Sequence, residues 1–326
     1  MRPIKFDACL PQDADFSFAS AFAQRAETLG FHSVSITDHM FFIGGNYQAR
    51  SPHLECYTTL AALAMVTTRI RLMQTVTAMS FRNPALLAKM TSTLDHICKG
   101  RLTVGVGAGW YKKEYDAYGF PYLSNAERIE HLAEGIQVLK CMWTEEEPTY
   151  QGRFFSIDKA YNFPRPVQLP HPPLLVGGGG KKVLRIAAAE ADILNVIPPS
   201  ISGTGTEVFP VDVATLVPKV TRFREQLKAA GRPVESVELS GYSNVAMAQD
   251  KSSADEMVSI IQKGSGMASP DIVRRSAFFL VGTADEARRE IRSRIEVLGI
   301  TYFVLVFSSL ESMEFFANRV MPEFTS

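Results

Sequence analysis

The chain has 326 residues, 46% hydrophobic and 21% charged, the profile of a globular protein with a sizeable core. Acidic and basic residues balance at 34 each, which leaves no bulk electrostatic case for nucleic acid or an anionic membrane as partner. No stretch approaches the roughly 18 uninterrupted apolar residues of a membrane span, and MRPIKFDACLPQDAD lacks the apolar core of a secretory signal, so a cytoplasmic location is expected.

Short apolar strands alternate with amphipathic helices along the chain. IKFDACL (4–10) reads as a strand; in FSFASAFAQRAETLG, Phe18, Phe22, Ala26 and Leu29 share one helical face, and Gly30 stops the helix. SVSITDH (33–39) is a second strand and LECYTTLAALAMVTT a second helix; RIRLMQTVTAM (69–79) is a third strand, followed by a helix that Pro84 can start. RLTVGVGAG (101–109) is the fourth, with a long helix over 125–143, and PPLLVGG the fifth, with a helix over 180–190. ADILNVI (191–197) leads to a helix over 211–230; VELSGYSNVAMA (237–248) and TYFVLVFS (301–308) are the last strands, and a helix closes the chain.

Eight strand-helix units in one pass predict an α/β (β/α)8 TIM-like barrel over residues 1–326, a single domain with inserted segments. Residues 145–172 read as an excursion holding a hairpin, and 250–276, around GSGMASP, as short helices with a mobile lid between them.

Chemistry in such a barrel belongs at the C-terminal ends of the strands, and the unusual residues collect there. Asp38-His39 follows strand two, Thr75 to Met79 strand three, Gly105, Gly107, Gly109, Trp110 and Tyr111 strand four, four consecutive glycines strand five, and Asn195 strand six. His39 is the candidate acid/base, since the ordinary imidazole pKa lies near neutrality; Asp38 either orients its ring or caps the following turn. The glycines of VGVGAGW either let a flat group lie against backbone or relieve crowding inside the barrel. Trp110 and Tyr111 stack on a ring or pack under a loop.

Gly177, Gly178, Gly179 and Gly180 run straight into KKVLR. A P-loop needs glycine where Leu175 stands and Ser/Thr where Lys182 stands, and a dinucleotide fingerprint needs glycine at Lys182, so both fail. An anion-binding turn helped by Lys181, Lys182 and Arg185 and a ligand-free tight turn both remain open. No His/Asp/Glu group has metal-ligand spacing, and no Gly-x-Ser-x-Gly elbow is present. Cys9, Cys56, Cys98 and Cys141 are scattered, without a zinc knuckle or disulfide pattern.

SITDHMF, RIRLMQTVTAMSFRNPALLAKMTSTLD, GRLTVGVGAGWYKKEYDAYGFP and PRPVQLPHPPLLVGGGGKKVLRIAAAEAD, in this order, resemble the bacterial luciferase-like superfamily, most closely its branch of coenzyme F420-dependent oxidoreductases. The resemblance is strong over residues 1–200 and beyond them rests on layout and length. It implies a homodimeric barrel that binds deazaflavin or flavin at the strand C-termini. His39 is then the proton donor or acceptor at the reacting ring, with Asp38 beside it. Thr75-Val76 falls where such proteins carry a non-proline cis peptide behind the ring. Ala108, Gly109 and Trp110 line the cofactor, and Gly177 to Gly180 with Lys181 hold its phosphate. The family's sugar-phosphate dehydrogenases have glutamate after the glycine matching Gly109; Trp110 replaces it here, which disfavours glucose 6-phosphate and favours a more apolar small molecule. Glu114 takes that glutamate's place only if its loop turns it inward.

The resemblance implies hydride transfer between F420 and an enone, carbonyl or alcohol. It leaves open an FMN-dependent monooxygenase supplied by a reductase partner, and a non-catalytic flavin- or deazaflavin-binding protein. Residues 40–50, 145–172 and 250–276 are expected to select the substrate, and RIRLMQ and LECYTTLAALAMV to offer apolar surface to a second copy.

Overall fold

The computed structural model describes residues 2–11, 13–41, 51–196 and 212–325. Eight parallel strands form its centre: β1 (Lys5–Cys9), β2 (Ser33–Ile36), β3 (Arg71–Gln74), β4 (Leu102–Gly107), β5 (Leu174–Gly177), β6 (Ile193–Val196), β7 (Glu238–Ala248) and β8 (Ile300–Phe307). Each pairs with the next, and β8 pairs back on β1 through Lys5↔Tyr302 to Cys9↔Val306, so the sheet closes into a barrel. The strands are four to eleven residues long and almost continuously buried, as parallel strands covered on both faces must be.

The outer helices are α1 (Phe16–Leu29), α2 (Cys56–Val66), α3 (Pro84–Ile97), α4 (Asn125–Thr144), α5 (Lys181–Glu190), α6 (Val213–Ala229), α7 (Ala284–Leu298) and α8 (Leu310–Arg319). Local chemistry sets their ends. Gly30 closes α1 in the left-handed region at φ 85°. Pro84 sits in the first turn of α3 behind the Asn83 cap. Ser124 with Glu127, and Thr283 with Glu286, form capping boxes on α4 and α7. Phe22, Leu60, Leu87, Leu132, Leu184, Phe223, Ile291 and Phe316 of these helices pack on the outward side chains of the barrel as one core. No helix among the described residues is long and apolar enough to cross a membrane.

The inside of the barrel is packed separately, by Cys9, Met73, Leu175, Ile193, Tyr302 and Val304. Polar groups interrupt it, among them Asp7 and the buried Asn195–Ser240 pair at 2.9 Å. Asp7, fully buried on the Cys9 side of β1, accepts from Ser33 Oγ and Ser35 Oγ at 2.5 Å each, and Ser33 Oγ meets the Tyr302 hydroxyl at 2.7 Å. Burial pushes the Asp7 carboxyl up to about 7 against the lowering effect of the two serines.

Several expectations change in detail. The third strand breaks at the cis peptide Thr75–Val76, and its continuation, Thr77–Ala78, stays on β4 one residue out of register with the Leu72↔Leu102 pairing. RIRLMQ is no partner surface, because it is β3 with Leu72, Met73 and Gln74 fully buried; of the α2 segment, Met65 stands out at 75% exposed. The excursion holds a hairpin, Tyr150–Gln151 with Ser156–Ile157. The region 250–276 contains two helices, Lys251–Ser265 and Pro270–Arg275, packed through Val258, Met267 and Val273 into a small apolar cluster, which is not the architecture of a loose lid. An unanticipated strand, Phe279–Thr283, pairs with the upper half of β7. Part of the 40–50 loop, Ile197 and the expected start of α6 at Val211 lie outside the described residues.

Candidate active site

Strand register brings the unusual residues to one rim. Ile36 pairs with Gln74, Ala78 with Gly107, Gly107 with Gly177 and Gly177 with Asn195. Asp38-His39, Thr75-Val76, Ala108 to Trp110 and Gly178 to Gly180 therefore follow neighbouring strands at the C-terminal mouth of the barrel.

His39 is paired with a carboxylate, and that carboxylate is Glu114. Its Oε2 lies 2.8 Å from His39 Nδ1 while Oε1 accepts from the Met40 backbone N–H at 2.6 Å. A short helix, Lys112–Tyr118, turns Glu114 inward, leaving it 1% exposed. Its outer face is pinned by the Lys112–Asp116 pair, and Gly119 ends it at φ 71°. Arg128 holds the preceding loop, donating to the Leu123 and Gly109 carbonyls and stacking over the Tyr122 ring at 4.3 Å. Trp110 meets the His39 ring edge-on at 6.0 Å and packs on Tyr111, with Phe41 beyond. An aromatic wall thus borders the imidazole.

Asp38, expected beside that ring, faces elsewhere. Arg82 donates to both of its oxygens, Nη1 to Oδ2 at 2.5 Å and Nη2 to Oδ1 at 3.1 Å. Nη2 also reaches Glu55 at 2.6 Å, and the guanidinium lies over the Tyr57 ring at 4.6 Å. Tyr57 in turn meets Thr77 Oγ1 at 2.7 Å; burial raises its phenol well above the ordinary value, so it stays protonated.

The β4 glycines relieve crowding. A Cβ on Gly105 would stand 2.2 Å from the Gln74 carbonyl, and one on Gly107 2.8 Å from Val76. Gly109 has φ +75°, and its Cβ would meet the Tyr115 hydroxyl, which Ser80 holds at 2.6 Å. The bulge at Thr75-Val76 presses on β4, and glycine makes room for it. Ala108 is part-buried against the core. The Thr75 hydroxyl is buried with no hydrogen-bond partner.

Across the mouth, α5 starts differently from its neighbours. Asp15, Glu55, Asn83, Ser124, Asp212, Thr283 and Ser309 cap the other seven barrel helices with side-chain acceptors, whereas α5 begins at Gly180 with none. Its first turn has no acidic residue and opens with Lys181 and Lys182, charges of the wrong sign for a helix N-terminus. A Cβ on Gly180 would meet nothing within 4 Å, so space lies open there. Gly178, at φ +148°, leaves room for Val183 and donates its N–H to the Asn195 carbonyl; Gly177 is buried in β5, Gly179 links Gly178 to Gly180, and the Lys181 carbonyl accepts from Gln226.

The sequence reading named Glu114 only conditionally and missed Arg82, Glu55 and Tyr57. The i,i+4 pair Lys112/Asp116 ahead of Gly119 was the available signal for the helix that delivers Glu114. Nothing local marks Arg82, whose partners lie 44 and 27 residues away.

A family model described as luciferase-like monooxygenase matches residues 3–302. The uncharacterized protein Rv0953c of Mycobacterium tuberculosis is 35% identical over 188 residues, 53% of this chain and 65% of that protein. The chain thus spans just under two thirds of the length of that relative. An FMNH(2)-dependent dimethylsulfone monooxygenase of Pseudomonas putida is 26% identical over 328 residues, covering 94% of this chain and 88% of that one. The solved structure of an F420-dependent secondary alcohol dehydrogenase with an F420-acetone adduct superposes with a TM-score of 0.82 over 99% of this chain and 98% of that one, at 22% identity, a likeness of fold. With the match running from residue 3 into the last barrel strand, the chain belongs to the luciferase-like monooxygenase family.

Proposed function

We propose that the protein is an F420-dependent oxidoreductase acting on a small, fairly apolar substrate, with His39 handling the proton. The observation that carries the cofactor is the start of α5. First-turn N–H groups without a side-chain cap, two lysines and open space at Gly180 make a helix N-terminus suited to a phosphate. Gly177 to Gly180 and Lys181 would hold that phosphate, Lys182 and Arg185 would face a longer anionic tail, and the orphaned Thr75 hydroxyl, Ala108, Gly109 and Trp110 would border the ring. When bound, F420 supplies a hydride donor or acceptor at its C5.

The chain's own part is positioning and proton control. Glu114 takes the Nδ1–H of His39, which fixes the tautomer and leaves Nε2 as the working nitrogen. In the reducing direction Nε2–H donates to the substrate oxygen or carbon; in the oxidising direction Nε2 accepts the alcohol proton. Trp110, Tyr111 and Phe41 keep water from the imidazole and favour an apolar substrate over a sugar phosphate. Glu114 serves as the carboxylate partner that Trp110, directly after Gly109, does not provide. A cytoplasmic homodimer belongs to the same reading: Met65, Leu86, Ile97 and Leu169 are exposed apolar side chains that a second copy would cover.

A second reading is FMN-dependent oxygenation with a separate reductase, favoured by the near full-length similarity to a monooxygenase named as FMNH(2)-dependent. His39→Ala tests the common core of both. Retained cofactor affinity with turnover lowered by about 10²-fold or more supports the proton-transfer role; unchanged turnover removes His39 from the chemistry and reopens a binding-only role.

A further inference from the structure

The end of β2 carries a second charged constellation that proton transfer does not use. Asp38 is 3% exposed, and both its oxygens are committed to one guanidinium fork, a bidentate charge-assisted pair. We propose that Arg82, acting through Asp38, is the positioning residue that holds His39 against Glu114, and that Asp38 serves this clamp instead of exchanging protons. The proposal rests on reading His39 as the proton-transfer group.

Three observations carry it. First, His39 lies between two anchored neighbours. Arg82 grips the Asp38 side chain before it, and Glu114 Oε1 takes the Met40 N–H after it. Fixing the backbone on both sides is what lets the ring meet Glu114 Oε2 at 2.8 Å. Second, Arg82 ties three elements together. It joins Asp38 after β2 to Glu55 at the start of α2, and lies on Tyr57, whose hydroxyl reaches Thr77 just past the Thr75-Val76 bulge. Third, among the described residues Arg82 is the one cation paired with Asp38. Glu55 cannot swing away, because it also caps α2 through the Tyr57 and Thr58 N–H groups. Without Arg82, the buried Asp38 carboxylate loses its counter-charge beside the half-exposed Glu55, and the cost falls on the residue next to His39. Lysine supplies the charge without the planar fork that serves both carboxylates at once.

The test reads the His39 ring in the apoprotein, by two-bond ¹H–¹⁵N imidazole spectra assigned with His39→Gln. The wild type is expected to show the neutral ring as its Nδ1–H tautomer. Arg82→Ala is expected to move His39 toward a tautomer mixture while the other histidines keep their signals, and Arg82→Lys to give an intermediate shift. With cofactor and substrate supplied, kcat falls on the order of 10²-fold in Arg82→Ala, with KM little changed. Should Arg82→Ala not fold, Arg82→Lys and the near-isosteric Asp38→Asn give the same readout. A folded variant of any of the three whose His39 keeps the wild-type tautomer pattern overturns the clamp. Unchanged turnover in His39→Ala defeats the proton-transfer reading instead, and the two failures are told apart because the tautomer measurement involves no turnover.

Discussion

Asp7→Asn should stabilise the barrel at alkaline pH. The carboxyl rises from 3.8 to about 7 because burial outweighs the two serine hydroxyls that solvate it. Three units at about 1.36 kcal/mol each give about 4 kcal/mol. The folded state binds the proton more tightly than the unfolded chain, so this stability is fully present below pH 3.8 and is lost as pH rises through about 7. Asparagine stays neutral throughout. Its carbonyl can accept from one of Ser33 and Ser35 and its amide donate to the other, at a cost of about 1 kcal/mol for the reversed bond. Denaturant unfolding of both proteins from pH 4 to pH 8.5 measures the difference, in which titrations common to both cancel. Asp7→Asn should be level with or slightly weaker than the wild type near pH 4, and more stable by about 3 kcal/mol above pH 8. A difference that stays flat across the range would refute the claim that Asp7 takes up a proton on folding.

Glu114→Gln keeps the shape of the His39 partner and removes its charge. Turnover should fall by about 10²-fold with cofactor affinity unchanged, as a steady-state comparison would show, and an unaltered kcat would remove Glu114 from the site's chemistry. Gly180→Asp places a carboxylate cap where the side chain meets open space, with φ −75° and ψ 147° already suited to an N-cap. The apoprotein should gain up to about 1 kcal/mol, from the cap and from neutralising Lys181 and Lys182, while cofactor affinity drops at least about tenfold; paired melting and binding curves check both. Gly105→Ala should cost about 3 kcal/mol or more, or prevent folding, because the new methyl meets the Gln74 carbonyl. Normal stability there would mean that the bulge does not press on β4.

The barrel was legible because most strands are short runs of β-formers between turn signals and most helices carry an apolar face. β3 illustrates the limit. RIRLMQTVTAM reads as one strand, yet past the bulge Thr77–Ala78 continues along β4 one residue out of register, where Gly105 and Gly107, about 30 residues away in sequence, leave room for it. Phe279–Thr283 and α7 were not legible although Thr283 and Glu286 form a capping box, since the strand is only five residues long and runs into the helix without a turn. The rim was legible in part. His39 and the glycine run stand out by residue type and position, but the partners of His39 and Asp38 come from distant segments. Only the closed barrel brings Glu114 and Arg82 to them. The glycine run was ambiguous because a tight turn and a phosphate cradle use the same residue; the missing cap on α5 is visible only beside seven capped helices.

The most direct test of the account is a parallel titration of the purified protein with F420 and with FMN, followed by fluorescence and repeated with Gly180→Asp. Micromolar or tighter F420 binding, much weaker FMN binding and loss of affinity in Gly180→Asp are the predicted result. Preference for FMN would contradict the deazaflavin assignment, and failure of both cofactors to bind, or indifference of binding to Gly180→Asp, would contradict the reading of the α5 N-terminus as the phosphate site.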